Sequence, residues 1–437
     1  MISKQASIQT PQIVQHFTAV QWLSYIEALH PKAIAMGLER VAEVATRLKL
    51  NPTFPIITVA GTNGKGSTCA MLSAIYCKAD YQVGCYTSPH LIRYNERIQI
   101  NQQEISDEAL CVAFIAIESA RCDAILGEVC LTYFEISTLA AMWHFCQQQL
   151  DVVILEVGLG GRLDAVNVFE PTCAIVTTVD LDHMEYLGDT REKIGFEKAG
   201  IYRTQKLAIC GDDEPPNALI NFAEEINANL KLINRDFSVQ KINNVWQYLA
   251  KNHQLNIPKL ALNGDFQRNN AACVITAVIA LRHLLLVTDA NIVTALASVT
   301  LIGRFFSLQT LPTIIVDVAH NPQAALSLAH NLKTTPCTGR TIAVFAMLQD
   351  KDIAGVVQVL LPIFDEWFLA DIHHPRGAKA SALQVIIIKQ NPHAIIQNHA
   401  TVASALQTAC KVSAKNDRII VFGSFYTVTD AILLLRK

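Results

Sequence analysis

The sequence predicts an α/β protein of two lobes, each built on a largely parallel sheet. Short runs of β-branched and apolar residues alternate with Gly- or Asp-marked turns and stretches of helical period, the pattern of strands joined by crossover helices. Several of these runs are apolar throughout, as strands covered by helices on both faces must be. The chain of 437 residues is also roughly two to three times the length of a usual domain.

In chain order, strands are expected at Ile56–Ala60, 151–156, 173–178, 206–210, 314–317, Thr341–Phe345, 366–369 and Arg418–Phe422. Between 211 and 262 the pattern weakens into polar segments with Pro215-Pro216 and several Asn residues, which predicts a peripheral hairpin or insertion rather than sheet core. One helix is expected over 192–201 and another from about Asn269 to near Ser298. A fresh set of strand and helix units begins at Ile314, which places a boundary near Thr300 and divides the chain into residues 1–300 and 301–437. No fixed-period repeat is present.

Composition narrows the function classes. A chain 51% hydrophobic and 17% charged is not disordered. Lys and Arg number 35 against 38 Asp and Glu, giving a net charge of -3 with no basic cluster, which argues against nucleic acid as partner. The 12 cysteines are scattered singly without a C-x-x-C, so buried thiols in a reducing compartment are expected rather than zinc or disulfides. Residues 1–7 lack the apolar core of a signal peptide, and the greasiest stretch, 271–287, is interrupted by Arg282 and His283. A soluble cytoplasmic protein without membrane contact is the expectation.

The strongest local signal is Val59-Ala60-Gly61-Thr62-Asn63-Gly64-Lys65-Gly66-Ser67-Thr68, set between an apolar strand and a helix with Leu72, Ile75 and Ala79 on one face. Glycines let backbone N–H groups close around phosphate oxygens, Lys65 brings a positive charge to the β/γ-phosphates, and the Ser67 hydroxyl can reach Mg²⁺. The spacing departs from the common P-loop, since Gly66 separates Lys65 from the hydroxyl residue. A Gly-rich turn with an incidental lysine is the bland alternative; the flanking strand and helix favour nucleotide binding.

Residues 151–156 form a buried-strand pattern ending in Glu156 and followed by Val157-Gly158-Leu159-Gly160-Gly161-Arg162. Ligands of open parallel sheets bind outside the carboxyl ends of the strands, so Glu156 is expected beside the phosphate loop, where a carboxylate can hold Mg²⁺ against a triphosphate. The alternative is a cap on the following loop. His183 lies at a third strand exit; a lone His is more often a satisfied structural residue, but this position makes it a candidate for metal or phosphate contact. Spacing alone reads Lys198, in Glu197-Lys198-Ala199-Gly200, as a solvated helical charge.

Taken together, several blocks occur in a familiar order: Gly61 to Ser67, Ser88-Pro89-His90-Leu91 with Glu96-Arg97-Ile98, Leu155-Glu156-Val157-Gly158-Leu159-Gly160-Gly161-Arg162-Leu163-Asp164-Ala165, Asp182-His183, Glu197-Lys198-Ala199-Gly200-Ile201, Asp317-Val318-Ala319-His320-Asn321-Pro322 and Gly423-Ser424-Phe425. They resemble the folylpolyglutamate synthases and dihydrofolate synthases of the Mur ligase superfamily, from about Leu23 to the C-terminus. Trp22-Leu23-Ser24-Tyr25-Ile26-Glu27, Gly37-Leu38-Glu39-Arg40-Val41 and Leu131-Thr132-Tyr133-Phe134-Glu135 look like the bacterial bifunctional members.

The resemblance implies an N-terminal P-loop ATPase-like domain with a parallel-rich sheet, a C-terminal Rossmann-like domain and an active site between them. It implies an ATP-dependent amide ligase that joins L-glutamate to 7,8-dihydropteroate and to the γ-carboxylate of folates, including tetrahydrofolates, through an acyl phosphate. Two Mg²⁺ sites, K⁺ as a further cation and a monomer belong to the same expectation. By position, Thr62, Asn63, Gly64, Lys65, Gly66, Ser67, Asn270, Arg304, Asp317 and His320 resemble the ATP contacts. Ser67, Ser88, Glu156 and His183 resemble the metal set, with Lys65, Glu156, His183 and Lys198 in catalysis. Lys198 falls where the family carries a carbamylated lysine, which reverses its bland reading. Thr132, Phe134, Leu163, Asp164 and Ala165 match the pterin site, and Ser424 the glutamate segment. Departures include Val166 for a Thr, Val318 for a Gly, the details of 264–268, and a segment 33–37 that lacks an acidic residue of relatives. A monofunctional folylpolyglutamate synthase is the nearest alternative, followed by a peptidoglycan-precursor Mur ligase; a nucleotide-binding switch module is the alternative from another class.

Overall fold

The computed structural model describes residues 16–32 and 34–436. Residues 1–7, which entered the reading of the N-terminus, lie outside the described residues, as does Ala33 of the 33–37 segment.

The first sheet has eight strands in the order Asn229–Leu232, Leu207–Cys210, Cys173–Val176, Ile56–Ala60, Val152–Glu156, Val83–Tyr86, Ile98–Ile100 and Gln103–Glu104. The first six pair in parallel, and the last two turn back antiparallel at the edge. The central strands are buried at every position because helices cover both faces. Trp22, Phe114, Ile136 and Phe145 pack on one face, and Leu72, Ile75, Val274 and Ile275 on the other. Each such side chain stabilises the layer by about 1.5–3 kcal/mol relative to exposure.

The second sheet has six strands in the order Phe306–Thr310, Thr313–Asp317, Arg418–Phe422, Thr341–Phe345, Glu366–Ala370 and Ile396–His399. Five are parallel, and Phe306–Thr310 pairs antiparallel at the edge. Phe345 and Phe364 stack on Phe422 with centroids at 4.9 and 5.3 Å, filling one face. The two sheets share no strand, and the chain passes between them after the helix Asp289–Ser298.

Two expectations need correction. Residues 211–262 do contribute to the main sheet: Asn229–Leu232 pairs in parallel with Leu207–Cys210 at its edge, and only 237–256 form a separate three-stranded antiparallel sheet. The helix expected from Asn269 to Ser298 is two helices, Phe266–Ala280 and Asp289–Ser298. Thr288 ends the intervening turn as an N-cap in a reciprocal capping box with Asn291, which fixes a new helix start in spite of the apolar run before it. No helix among the described residues is long and apolar enough to cross a membrane.

Candidate active site

Loops leaving the carboxyl ends of both sheets line one cavity of about 1900 Å³. From the first sheet, Ile56–Ala60 runs into the phosphate loop and the helix Lys65–Lys78. Gly64 sits at φ +88°, and a Cβ there would lie 2.6 Å from Asn270 Oδ1, so only glycine fits the turn. Thr62 and Asn63 donate their backbone N–H groups to Thr178, at 2.8 Å to its carbonyl and 3.0 Å to its hydroxyl. The N–H groups of the first turn from Lys65 onward have no carbonyl four residues back within the helix, so the loop presents donors suited to an anion.

Lys65 folds back on its own loop, its Nζ donating to the carbonyls of Gly61 at 2.8 Å and Thr62 at 3.3 Å. Burial pulls the ammonium below its ordinary pKa, while the Glu156 carboxylate pulls it up. Glu156, 4% exposed, is raised by the same burial and lowered by Lys65. Its one hydrogen bond among the described residues comes from the Ser88 N–H, at 3.0 Å to Oε2. A Cβ on Gly66 would lie 3.8 Å from its Oε1, so the start of the helix bearing Ser67 abuts the carboxylate. The Ser67 hydroxyl accepts from Gln267 at 3.1 Å, and Gln267 in turn accepts from Asn270 at 3.0 Å.

This donor set fits a hard divalent cation. One buried carboxylate with hydroxyls on neighbouring segments supplies part of an oxygen shell, and such a cation takes its remaining oxygens from phosphate and water. Among the described residues no cluster of three or more His, Cys, Asp or Glu could hold a metal on protein groups alone. His183 has a left-handed backbone, φ 51°, at the start of a short turn. Burial lowers its pKa to about 4 against the pull of Asp182, so the ring is neutral. Its Nε2 lies 3.1 Å from Lys351 Nζ, which donates to Asp182 at 2.7 Å. Burial would raise the Asp182 carboxyl, but His183, Lys351 and His320 together hold it well below the usual range.

Lys198 is 3% exposed and lines the cavity. Burial, reinforced by Lys65, lowers its pKa to about 7. Among the described residues its Nζ makes no hydrogen bond or ion pair, which leaves an unpartnered amine at the site. Farther along the same wall, a Cβ on Gly158 would meet the Phe134 ring at 2.6 Å, so the glycine makes room for the aromatic face. Asp164 accepts from the Leu159 N–H at 2.8 Å and the Val166 N–H at 3.1 Å, and burial nevertheless raises it to about 7. Leu163 and Ala165 line the cavity on either side of it. Thr132 is engaged as the N-cap of the helix Tyr133–Cys146.

The second sheet supplies the opposite wall. Arg304 lies over the Phe425 ring at 5.5 Å. Burial lowers its pKa, opposed by Asp317 and Glu156. Asp317 accepts from the Phe305 and Ala319 N–H groups, both at 2.8 Å. His320 places Nδ1 2.8 Å from the Val318 carbonyl and Nε2 3.9 Å from Asp182. The Ser424 hydroxyl caps the helix Phe425–Leu435 by accepting from the Thr427 N–H at 3.0 Å. The cavity thus gathers all the positions singled out in the sequence except Ser67, which lies behind its lining and reaches Gln267. Gln267, Asp182 as an anion partner and Lys351 were not expected. Gln267 could have been found as the polar residue one turn before Asn270 on a wholly buried helix face, whereas nothing in the sequence ties Lys351 to Asp182.

A phosphate loop and a strand-end carboxylate on one sheet, facing an arginine from a second sheet, fit an ATP-dependent ligase of the Mur type, and the relatives of the chain are such ligases. The models of the Mur ligase middle domain and of the Mur ligase glutamate ligase domain match residues 59–278 and 303–425. The chain is 43% identical over 422 residues to the Escherichia coli dihydrofolate synthase/folylpolyglutamate synthase, spanning 96% of each protein. A structure of E. coli FolC in complex with DHPP and ADP superposes with a TM-score of 0.90 at 42% identity, covering 97% of this chain and 98% of that one. A bifunctional folylpolyglutamate synthase/dihydrofolate synthase with Mn, AMPPNP and L-glutamate bound gives 0.86 at 40% identity, covering 98% and 100%. The chain belongs to the dihydrofolate synthase/folylpolyglutamate synthase family.

Proposed function

We propose that this chain joins the α-amine of L-glutamate to the carboxylate of 7,8-dihydropteroate, forming dihydrofolate, and to the γ-carboxylate of folates and tetrahydrofolates, extending a polyglutamate tail. ATP is consumed in both reactions. The observation that carries the reading is the meeting of the phosphate loop, Glu156 and Arg304 at one cavity that continues to Phe134 and Asp164.

A carboxylate resists attack by an amine because oxide is a poor leaving group. Transfer of the γ-phosphoryl group makes an acyl phosphate and ADP; the amine then forms the amide bond while the carbon–oxygen bond to phosphate breaks. Lys65 leaves the Gly61 and Thr62 carbonyls to meet the phosphates, and Arg304 meets them from the other lobe. Glu156 with Ser67 and Ser88 would hold Mg²⁺, and His183 with Glu156 a second; a cation held there would supply charge neutralisation for the transferring phosphoryl group. The second position requires Lys351 to give up His183 Nε2. K⁺ is included as a further cation.

Lys198 is the residue for carbamylation, since an unpartnered buried amine with a pKa of about 7 is available as the free base that adds CO₂. Phe134 gives a flat face to the pterin, with Thr132, Leu163 and Ala165 around it and Asp164 as acceptor for its amino edge. Asn270 and His320 complete the nucleotide contacts, and Ser424 serves the incoming glutamate. Residues 1–300 and 301–437 act as two domains of a cytoplasmic monomer.

Phosphate release measured with ATP and glutamate, first with dihydropteroate and then with a reduced folate, tests the reading. Turnover on both is expected. Turnover on the reduced folate alone makes the chain a monofunctional folylpolyglutamate synthase, and turnover on neither overturns the ligase.

A further inference from the structure

The phosphate loop carries one side chain that points away from its own lobe. The Asn63 backbone is held within the first lobe: its N–H donates to the Thr178 hydroxyl at 3.0 Å, and its carbonyl accepts from the Thr177 and Thr178 hydroxyls at 2.5 and 3.2 Å. Its side-chain amide crosses the cleft. Asn63 Nδ2 donates to Asn321 Oδ1 at 3.2 Å and to Gln323 Oε1 at 2.5 Å, while Asn321 Nδ2 returns a bond to Asn63 Oδ1 at 3.2 Å. Asn321 is 4% exposed and is also the N-cap of the helix Pro322–Thr334, where its Oδ1 accepts from the Ala324 N–H at 2.9 Å. Both donors of Asn63 are used, and the pair is reciprocal, a geometry that fixes distance and orientation together.

We infer that Asn63, Asn321 and Gln323 form a latch between the phosphate loop and the second lobe, and that they are positioning residues for the step after phosphoryl transfer. The inference rests on the ligase reading. The acyl phosphate has two fates. If the glutamate amine attacks its carbonyl carbon, the products are an amide and phosphate; if water attacks, the carboxylate returns with phosphate, and ATP has been hydrolysed without a bond being made. Only a closed cleft discriminates between these outcomes, because it excludes water while the amine is held.

Other side chains cross the cleft, among them Lys351 to Asp182 at 2.7 Å and Thr429 to the Leu91 carbonyl at 2.5 Å. The Asn63 latch differs in joining the loop that grips the phosphates. Its neighbours confirm the economy of the site: Gly64 leaves room for Asn270, and Lys65 is tied to Gly61 and Thr62, so Asn63 alone in this loop reaches the second sheet's helix by a side-chain amide. Opening the cleft breaks the three hydrogen bonds of the latch.

The test is the ratio of phosphate released to amide formed, for Asn321→Ser, Asn63→Ser and the double variant, with dihydropteroate or reduced folate as acceptor. Serine remains a good N-cap for the Pro322 helix but is too short to reach Asn63. The wild-type ratio is expected to be one phosphate per amide. Each single variant is expected to raise it about three-fold or more, and the double variant to match the worse single, because all three break the reciprocal Asn63–Asn321 pair and Asn63→Ser already removes the Gln323 bond as well. Ratios that stay at one in both single variants, or defects that multiply in the double, overturn the latch. A wild type that forms no amide overturns the ligase reading instead. Thermal unfolding of each variant identifies a folding defect; if Asn63→Ser alone is unfolded, Asn321→Ser decides from the other side of the cleft.

Discussion

On the wall built from the first sheet, reactive groups are left with little to bind: Glu156 accepts a single hydrogen bond, and Lys198 is unpartnered among the described residues. On the wall from the second sheet the polar groups are tied into their own loops, Asp317 by two backbone N–H groups and Ser424 as a helix cap. The first wall therefore stores electrostatic potential for a substrate to release, at a cost in burial that shifts Lys65, Glu156 and Lys198 toward their neutral forms. The second wall is a firm backing that brings Arg304 and Asn321 to the phosphate loop. The proposed reading gives the chemistry to the first lobe and the closure to the second.

The largest effect expected on the first wall is at Glu156. Glu156→Ala should lower carboxylate-dependent phosphate release by on the order of 10³-fold, because a methyl group cannot replace a ligand that serves the transition state. Release that persists would move the chemistry off this wall and favour a nucleotide switch. Lys198→Ala should follow closely, by about 10²-fold or more, with partial rescue by added short carboxylates. The companion measurement is intact mass after equilibration in bicarbonate: the added mass of CO₂ on Lys198 is expected, and its absence would leave Lys198 a plain amine.

The second wall should give a smaller and different response. Arg304→Ala is expected to reduce kcat/KM by about 10²-fold or less while leaving the affinity of the open form for ADP nearly unchanged, if the guanidinium meets phosphate only on closure, as proposed. A loss of ADP affinity equal to the loss of kcat/KM would mean that both walls grip the nucleotide equally.

A stability measurement sharpens the electrostatic half of the comparison. Burial raises Asp164 from its ordinary 3.8 to about 7. Between those values the folded protein keeps a proton that the unfolded chain has released, so the contribution of Asp164 to stability falls as pH rises through this window and is flat above it. Asp164→Asn should remove that fall, narrowing the difference in unfolding free energy between about pH 4 and pH 7 by on the order of a few kcal/mol. Chemical denaturation at both pH values checks it, and an unchanged difference would mean the carboxyl is ionised throughout.

The strands Ile56–Ala60, Thr341–Phe345 and Arg418–Phe422 were legible in the sequence because each is a short apolar run rich in β-branched residues, and most exit into a glycine or an acid, a pattern set by local chemistry. They fall where that pattern puts them. The strand Val83–Tyr86 was missed because it has four residues with Gly84 among them, and the reason for that glycine is tertiary: a Cβ there would meet Leu150 at 2.8 Å. The break after Ala280 was hidden by the apolar residues of the turn, although Thr288 and Asn291 carried its signal. Contacts between lobes, such as Lys351 with Asp182 and Asn63 with Asn321, join residues more than 160 positions apart and leave no local trace.

The central claim is that the two lobes activate a carboxylate by phosphorylation and then deliver it to glutamate. The most direct measurement follows oxygen. With dihydropteroate carrying ¹⁸O in its carboxylate, ATP, glutamate and the wild-type protein should release phosphate that contains one ¹⁸O, in step with dihydrofolate formation. Unlabelled phosphate released at the same rate would contradict the account.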